Sequence, residues 1–356
     1  MIEYGTAGSP VSGYSASVWG CRRQVVTVVS ALAFSYGILA VPAAAAPSAP
    51  PSSVPCPVAP VKARPGRPPR PVPPPRDPAR PILGGAALAT TGLAVPPGAP
   101  TLPTDLSASS WLVADLDTGA VLGGCGPHEQ SPPASVQKLL LAATLLPKLN
   151  PAQVVQVTPA DLAIQPGSSA VGLVAGGRYT VGTLWLGLLL ESGNDAANVL
   201  ARLGGGDAGV PGALAAMNAL AQHLGALDTH AVSPSGLDGP GQFTSAYDLA
   251  LIARACFALD DFRRYDSALT AQMPAQPPKG KGFQIQNENK LLTRYPGALG
   301  GKTGFTDLAR HTYVGAAQRN GRRLVVTLLN AEPLPVRAWQ QGASLLDWGF
   351  SLPRDA

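Results

Sequence analysis

Pro132-Pro133-Ala134-Ser135-Val136-Gln137-Lys138-Leu139-Leu140-Leu141-Ala142-Ala143-Thr144-Leu145-Leu146-Pro147 is the stretch on which the fold turns. Prolines bracket an apolar run of helical length, which predicts a helix with defined ends over residues 134–146. The run is apolar on nearly every face, so the helix belongs at the centre of the domain. Ser135 and Lys138 lie on it three residues apart, one turn from each other on a shared face.

Working outward from this helix gives the architecture. Residues 180–190 and 195–203 read as two further helices, with Glu191-Ser192-Gly193-Asn194 as the turn between them. The alanine and leucine content of 211–224 and 245–259 predicts two more. Trp111-Leu112-Val113-Ala114-Asp115-Leu116, the turn Asp117-Thr118-Gly119 and Ala120-Val121-Leu122 form an opening β-hairpin. Near the other end, Asn320-Gly321 separates two β-rich runs, 312–318 and 324–329, and Asn-Gly is the strongest short hairpin signal. Strands at both ends with helices between predict an α+β fold, an antiparallel sheet covered by helices.

Composition divides the chain in three. Residues 42–103 hold 20 of its 38 prolines. Such a stretch buries too little apolar surface to offset its ordering entropy, so 47–103 is expected to be a disordered, polyproline-II-rich linker. Residues 104–356 are long enough for one well-packed core. Before Thr104, Arg22, Arg23, Lys62, Arg64, Arg67, Arg70, Arg76 and Arg80 face only Glu3 and Asp77, whereas the whole chain carries +5. The basic character therefore belongs to the N-terminal part, where the arginines keep an extended segment solvated. Nucleic acid is not an expected partner.

Residues 1–46 read as an export signal or an N-terminal anchor. Arg22-Arg23 precedes an apolar run over 25–41, and Pro42-Ala43-Ala44-Ala45-Ala46 offers a small-residue cleavage site. The small residues favour cleavage, and the length of the run keeps membrane anchoring open. Either way the domain is expected outside the cytoplasm. There Cys125 and Cys256 have two readings, a disulfide or two buried thiols. His128, His223, His230 and His311 show no metal-ligand spacing, and no metal or other cofactor is expected.

Three motifs occur once each and in order: Ser135-Val136-Gln137-Lys138, Ser192-Gly193-Asn194 and Lys302-Thr303-Gly304. Serine is a weak nucleophile that needs an adjacent base. Lys138 can serve if burial and a second cation, Lys302, destabilise its charged form. Ser192 can pass the proton onward, and the Asn194 amide can bind both a substrate carbonyl and Lys138. Lys302 and Thr303 suit a substrate carboxylate, and Gly304 permits close approach of a substrate backbone. The N–H groups of Ser135 and Phe305 can form an oxyanion hole, in which one donor typically contributes ~3–4 kcal/mol. Each motif alone is weak; their order, spacing and context are not.

From Trp111 to Phe350 the chain resembles the serine-type D-alanyl-D-alanine carboxypeptidases, the low-molecular-mass penicillin-binding proteins. Pro132-Pro133-Ala134-Ser135 is similar to the approach to their nucleophile, and Leu188-Leu189-Leu190-Glu191-Ser192-Gly193-Asn194-Asp195-Ala196-Ala197 to their second motif. Ser235-Gly236-Leu237, Thr244-Ser245-Ala246-Tyr247-Asp248-Leu249-Ala250, Asn289-Lys290-Leu291-Leu292 and Gly301-Lys302-Thr303-Gly304-Phe305-Thr306 extend the match. The resemblance implies a five-stranded antiparallel sheet between helical layers. It also implies a peptidoglycan stem peptide cleaved between its two terminal D-alanines, and acylation of Ser135 by β-lactams.

Three features depart from that pattern. Ala309-Arg310 stands where the family often has Ala-Gly, placing a charged residue near the expected carboxylate pocket. The sequence ends shortly after Trp348-Gly349-Phe350, so the family's frequent C-terminal β domain is not expected. The proline-rich segment is not general in the family; as polyproline II at ~3.1 Å per residue it spans on the order of 170 Å. Other readings stay open: a class A-like β-lactamase, for which Gly193 stands in place of Asp, a DD-transpeptidase or endopeptidase, and a non-catalytic wall-binding protein.

Overall fold

The computed structural model describes residues 54–61, 67–69, 71–73, 75, 77, 79–278 and 280–354. The expected signal or anchor, 1–46, lies outside these residues. No helix among the described residues is long and apolar enough to cross a membrane.

Among the described residues, ten strands and eight α-helices follow in chain order. The strands are β1 (Leu93–Ala94), β2 (Ser110–Asp115), β3 (Val121–Cys125), β4 (Val154–Gln156), β5 (Arg178–Thr180), β6 (Thr270–Met273), β7 (Phe283–Gln286), β8 (Ala298–Thr306), β9 (Arg310–Arg319) and β10 (Arg322–Ala331). The helices are α1 (Lys138–Leu145), α2 (Val181–Leu190), α3 (Asn194–Gly204), α4 (Gly209–Leu224), α5 (Ala246–Ala258), α6 (Asp260–Asp266), α7 (Leu291–Arg294) and α8 (Ala338–Ser351). The main sheet has the order β1-β3-β2-β10-β9-β8, antiparallel throughout. Two short antiparallel pairs, β4–β5 and β6–β7, lie outside it.

The side-chain alternation of a strand explains why the central strands look continuously apolar. On β10, Leu324, Val326 and Leu328 join the core shared with α8, including Trp111, Tyr313 and Trp348. Val325 and Leu329 face the opposite core, built from α1 to α6. Thr327, on that second face, donates its hydroxyl to Ala246 O at 2.7 Å, so its polar atom is satisfied at full burial.

Local chemistry sets most boundaries. Thr180 caps α2 by accepting from Thr183 N at 3.1 Å, and Ser245 caps α5 by accepting from Asp248 N at 3.1 Å. Asn320 (φ 50°) and Gly321 (φ 74°) make the β9–β10 hairpin, both left-handed as a type I′ turn demands. The expected single helix over 134–146 is instead two pieces. Residues Ala134–Gln137 form a 3-10 turn that leads into α1, after Ala134 takes φ 50°.

The expected linker is corrected over much of its length. Cys56 is disulfide-bonded to Cys125, with Cα atoms 5.7 Å apart across a sequence separation of 69. β1 then adds a sixth strand beyond the five expected, pairing Leu93 with Cys125 and Ala94 with Gly124. Leu88 and Ala59 are buried, and Ala59 N donates to Leu106 O at 2.6 Å. Composition hides this because a covalent tie supplies the ordering that proline-rich sequence lacks. Of the two readings for Cys125 and Cys256, the pairing is excluded because Cys125 bonds to Cys56, and Cys256 is a buried thiol. It is fully buried, its Sγ donates to Leu139 O at 3.1 Å, and burial pushes its thiol up.

Candidate active site

Ser135 lies on the 3-10 turn against β8, and Gly304 makes that packing possible. A Cβ at Gly304 would lie 2.8 Å from Ser135 N and 2.3 Å from Thr312 Oγ1. The glycine thus admits the serine-bearing turn itself, rather than only a substrate. Thr312, opposite Gly304 on β9, anchors the same turn by donating to Pro133 O at 2.8 Å.

Lys138 is fully buried below this serine. Its Nζ donates to Ser135 Oγ at 2.8 Å, to Asn194 Oδ1 at 2.7 Å and to Ser235 O at 3.0 Å. Burial pushes the amine well below its usual range, and the charge of Lys302 adds to the effect. A neutral Lys138 presents a lone pair, and the 2.8 Å contact then runs from the Ser135 hydroxyl to Nζ. Lys302 is also buried, donates to Thr303 O at 2.8 Å, and is pushed down to about 8 by burial, with Glu288 and Asp266 opposing.

Ser192 turns the chain between α2 and α3 at φ 61°, and its buried Oγ has no hydrogen-bond partner among the described residues. Backbone strain of this kind costs on the order of 1–3 kcal/mol and collects at functional sites. Asn194 begins α3. Asp195 beside it accepts from the N–H groups of Val171, Gly172 and Leu173 at 2.9, 3.0 and 3.0 Å. That one carboxylate pins a loop onto the second motif.

These groups border a cleft of about 820 Å³. Ser135, Ser192, Asn194, Thr303, Gly304 and Phe305 line it, with Lys138 and Lys302 beneath. All eight residues singled out from the sequence are thereby brought to one place. Phe305 is 52% exposed and stacks on His311 with centroids 4.7 Å apart.

Arg310 does not enter the cleft. At φ 61° its side chain turns away, is 8% exposed, and donates to Pro68 O at 3.1 Å with Glu332 nearby at 3.9 Å. Arg67 pairs with the same Glu332. The expected disturbance of the carboxylate pocket is thus replaced by a clamp on the proline-rich segment. The motifs do not reveal four contributors: the Ser235 carbonyl, the Asp195 carboxylate, and Glu288 and Arg337 on the cleft wall. Asp195 carried a local signal, as an acid in the first turn of a helix, and Ser235 lay in a segment of the family resemblance; Glu288 and Arg337 carried none.

Away from the cleft, His128, Asp228 and Asp248 bring ligand-type atoms within 4.8 Å of one another. Both ring nitrogens of His128 are engaged, with Asp228 Oδ2 at 2.7 Å and Leu83 O at 3.0 Å. Burial pushes the Asp248 carboxyl up to about 7.

Residues 97–333 match a family model described as D-alanyl-D-alanine carboxypeptidase. The chain is 47% identical over 264 residues to D-alanyl-D-alanine carboxypeptidase DacB2 of Mycobacterium tuberculosis, covering 72% of this chain and 87% of that protein. It is 33% identical over 260 residues to DacD of Salmonella typhimurium, spanning 69% of this chain and 64% of that protein. The crystal structure of the D-alanyl-D-alanine carboxypeptidase from Mycobacterium tuberculosis superposes with a TM-score of 0.69 at 43% identity, covering 74% of this chain and 97% of that one. The Streptomyces K15 DD-transpeptidase superposes with a TM-score of 0.67 at 28% identity, covering 71% and 100%. The match spans two thirds of the sequence and takes in the serine, lysine and asparagine just described, so the chain belongs to the D-alanyl-D-alanine carboxypeptidase family, peptidase S11.

Proposed function

We propose that the chain is an exported serine carboxypeptidase that removes the terminal D-alanine from peptidoglycan stem peptides through an acyl-enzyme on Ser135. The contact that carries this reading is Lys138 Nζ to Ser135 Oγ at 2.8 Å. Lys138 takes the serine proton as Oγ attacks the carbonyl carbon of the penultimate D-alanine. The oxyanion that forms faces the N–H groups of Ser135 and Phe305. Ser192 relays the proton to the departing amine, the terminal D-alanine leaves, and water resolves the ester. Lys302, Thr303 and Arg337 receive the substrate carboxylate, with Arg337 able to bind it through two parallel hydrogen bonds.

β-Lactams present a carboxylate beside a strained amide and acylate the same serine. The apolar N-terminal run and its small-residue end support export, with retention at the membrane as the uncleaved variant.

The test is intact-mass spectrometry after exposure to benzylpenicillin, with Ser135→Ala alongside, followed by assay of D-alanine release. One drug mass added to the wild type and none to the variant, together with D-alanine release, is the expected result. An unmodified wild type beside intact drug overturns the catalytic reading. Rapid drug hydrolysis indicates a β-lactamase, and transfer of the acyl group to an added amine indicates a transpeptidase.

A further inference from the structure

A substrate carboxylate has to be met by donated protons, and at the end of β8 one hydroxyl has its proton already claimed. Thr306 lines the cleft together with Thr303 and Arg337. Its Oγ1 accepts from Ala309 N at 2.9 Å and donates to Asp238 Oδ1 at 2.7 Å. A hydroxyl has one proton and two lone pairs. When Asp238 is ionised, the proton and one lone pair are spent inside the protein, and a lone pair alone is left for the cleft. When Asp238 is protonated, its carboxyl donates to Thr306 instead. Both lone pairs are then filled, and the Thr306 proton turns to the cleft.

The segment that carries Asp238 is held from several sides. Ser235 O, three residues earlier, accepts from Lys138 Nζ at 3.0 Å. Gly236 takes φ 89°, and a Cβ there would lie 1.8 Å from Ala134 O, so the chain is pressed against the turn that bears Ser135. Leu237 O accepts from the side-chain amide of the buried Gln242. Asp238 follows directly, and its contact with Thr306 is fixed by the same packing that places the base and the nucleophile.

The charges around it are few. Asp307, just past β8, faces Asp238 and in turn faces Arg67. No cationic side chain among the described residues pairs with Asp238. Partial burial pushes the Asp238 carboxyl up, against the Thr306 hydroxyl and the Leu308 N–H, and Asp307 adds to the push. A substrate carboxylate beside Thr306 acts in the same direction as Asp307, because a second anion favours the neutral form.

We infer that Asp238 is a positioning residue that decides whether Thr306 offers the substrate carboxylate a proton or a lone pair, so that the peptide binds with uptake of a proton by Asp238. The inference rests on the acyl-transfer reading above and adds a residue that none of the three motifs contains. Asp238 acts through Thr306, without touching the scissile bond. The sign follows from linkage. Affinity is full while Asp238 is protonated in the free enzyme, and falls by about tenfold per pH unit once it ionises, until Asp238 also ionises in the complex.

The experiment measures KM and kcat for D-alanine release from Nα,Nε-diacetyl-L-Lys-D-Ala-D-Ala across a pH series. It uses the full chain as wild type, Asp238→Asn, Asp238→Ala and Thr306→Val. Either change at Asp238 frees the Thr306 proton at every pH, whereas Thr306→Val has none to offer. The KM ratio of wild type to Asp238→Asn should therefore rise with pH, reaching about 10–100-fold, the scale of a hydrogen bond to a charged group. Titration of Lys302 is common to both chains and cancels in the ratio. The kcat ratio should stay flat, Asp238→Ala should follow Asp238→Asn, and the KM ratio of Thr306→Val to Asp238→Asn should be high and independent of pH. A wild-type to Asp238→Asn KM ratio that does not change with pH overturns the inference, as does a change carried by kcat. Thr306→Val tests it even if both Asp238 variants fail to fold, since a KM ratio of Thr306→Val to wild type that is constant with pH overturns it too. A wild type that releases no D-alanine overturns instead the reading on which it rests.

Discussion

A Cβ on Gly193 would lie 2.3 Å from Val171 Cγ2. The middle position of the second motif is therefore closed to any side chain, because Asp195 holds the Val171 backbone through its N–H. Gly193→Ala forces Val171 aside and should cost about 1–3 kcal/mol of stability, as overpacking does. Gly193→Asp, the β-lactamase-like residue, adds a carboxylate next to that of Asp195 and should lose folding or acylation outright. Thermal denaturation and penicillin labelling of both variants check this; a stable, labelled Gly193→Asp would show the space to be larger than the geometry allows.

Asn194 holds Lys138 through a neutral amide oxygen, and its charge state matters. Asn194→Asp places an anion 2.7 Å from Nζ, which favours the ammonium. Activity needs the free amine, so the acidic limb of the pH–rate profile moves toward alkali. The alkaline limb belongs to Lys302, whose amine is pushed down to about 8 by burial. The active window therefore narrows from the acid side. Asn194→Ala, by contrast, should lower acylation by about 10²–10³-fold across the profile, the scale on which positioned acid–base groups contribute.

Breaking the Cys56–Cys125 bond frees the chain ends it joins across 69 residues. Cys56→Ser should lower stability by about 2–4 kcal/mol, read as a drop in melting temperature that reducing agent reproduces in the wild type. Cys256→Ser should leave the reductant effect intact, since its thiol packs alone against Leu139 O. Peptide mapping without reduction should recover a Cys56–Cys125 linked pair.

Arg310→Ala tests the clamp. Because its side chain reaches Pro68 rather than the cleft, penicillin acylation should stay within about twofold of wild type, as expected for a residue outside the reacting groups. Protease sensitivity around residues 67–69 should rise. A large fall in acylation would return Arg310 to the substrate pocket.

The sequence made the repetitive parts legible because their signals are local. Asn320-Gly321 announces its hairpin through two left-handed residues, and Thr180 and Ser245 announce helix starts through hydroxyls placed to accept a backbone N–H. The site was legible for a related reason: Ser135 and Lys138 are one turn apart, so spacing alone brings them together. What escaped depends on contacts distant in sequence. Nothing local in Cys56 distinguishes Cys125 from Cys256 as its partner. Arg310 turns away from the cleft because Glu332 and Pro68 are there to meet it. Glu288 belongs to no motif, and its place on the cleft wall is set by the fold, where its N–H meets Leu190 O at the end of α2.

The docked proline-rich segment also moves the boundary of the folding unit. A protein cut at Thr104, where composition alone places the start of the domain, would lack β1 and the sulfur that Cys125 needs. Its β3 would end the sheet as a bare edge carrying an accessible thiol, and two such edges are self-complementary. Such fragments would be prone to pair strand to strand and to oxidise into covalent dimers, so that the segment resembling a spacer also guards an edge of the sheet.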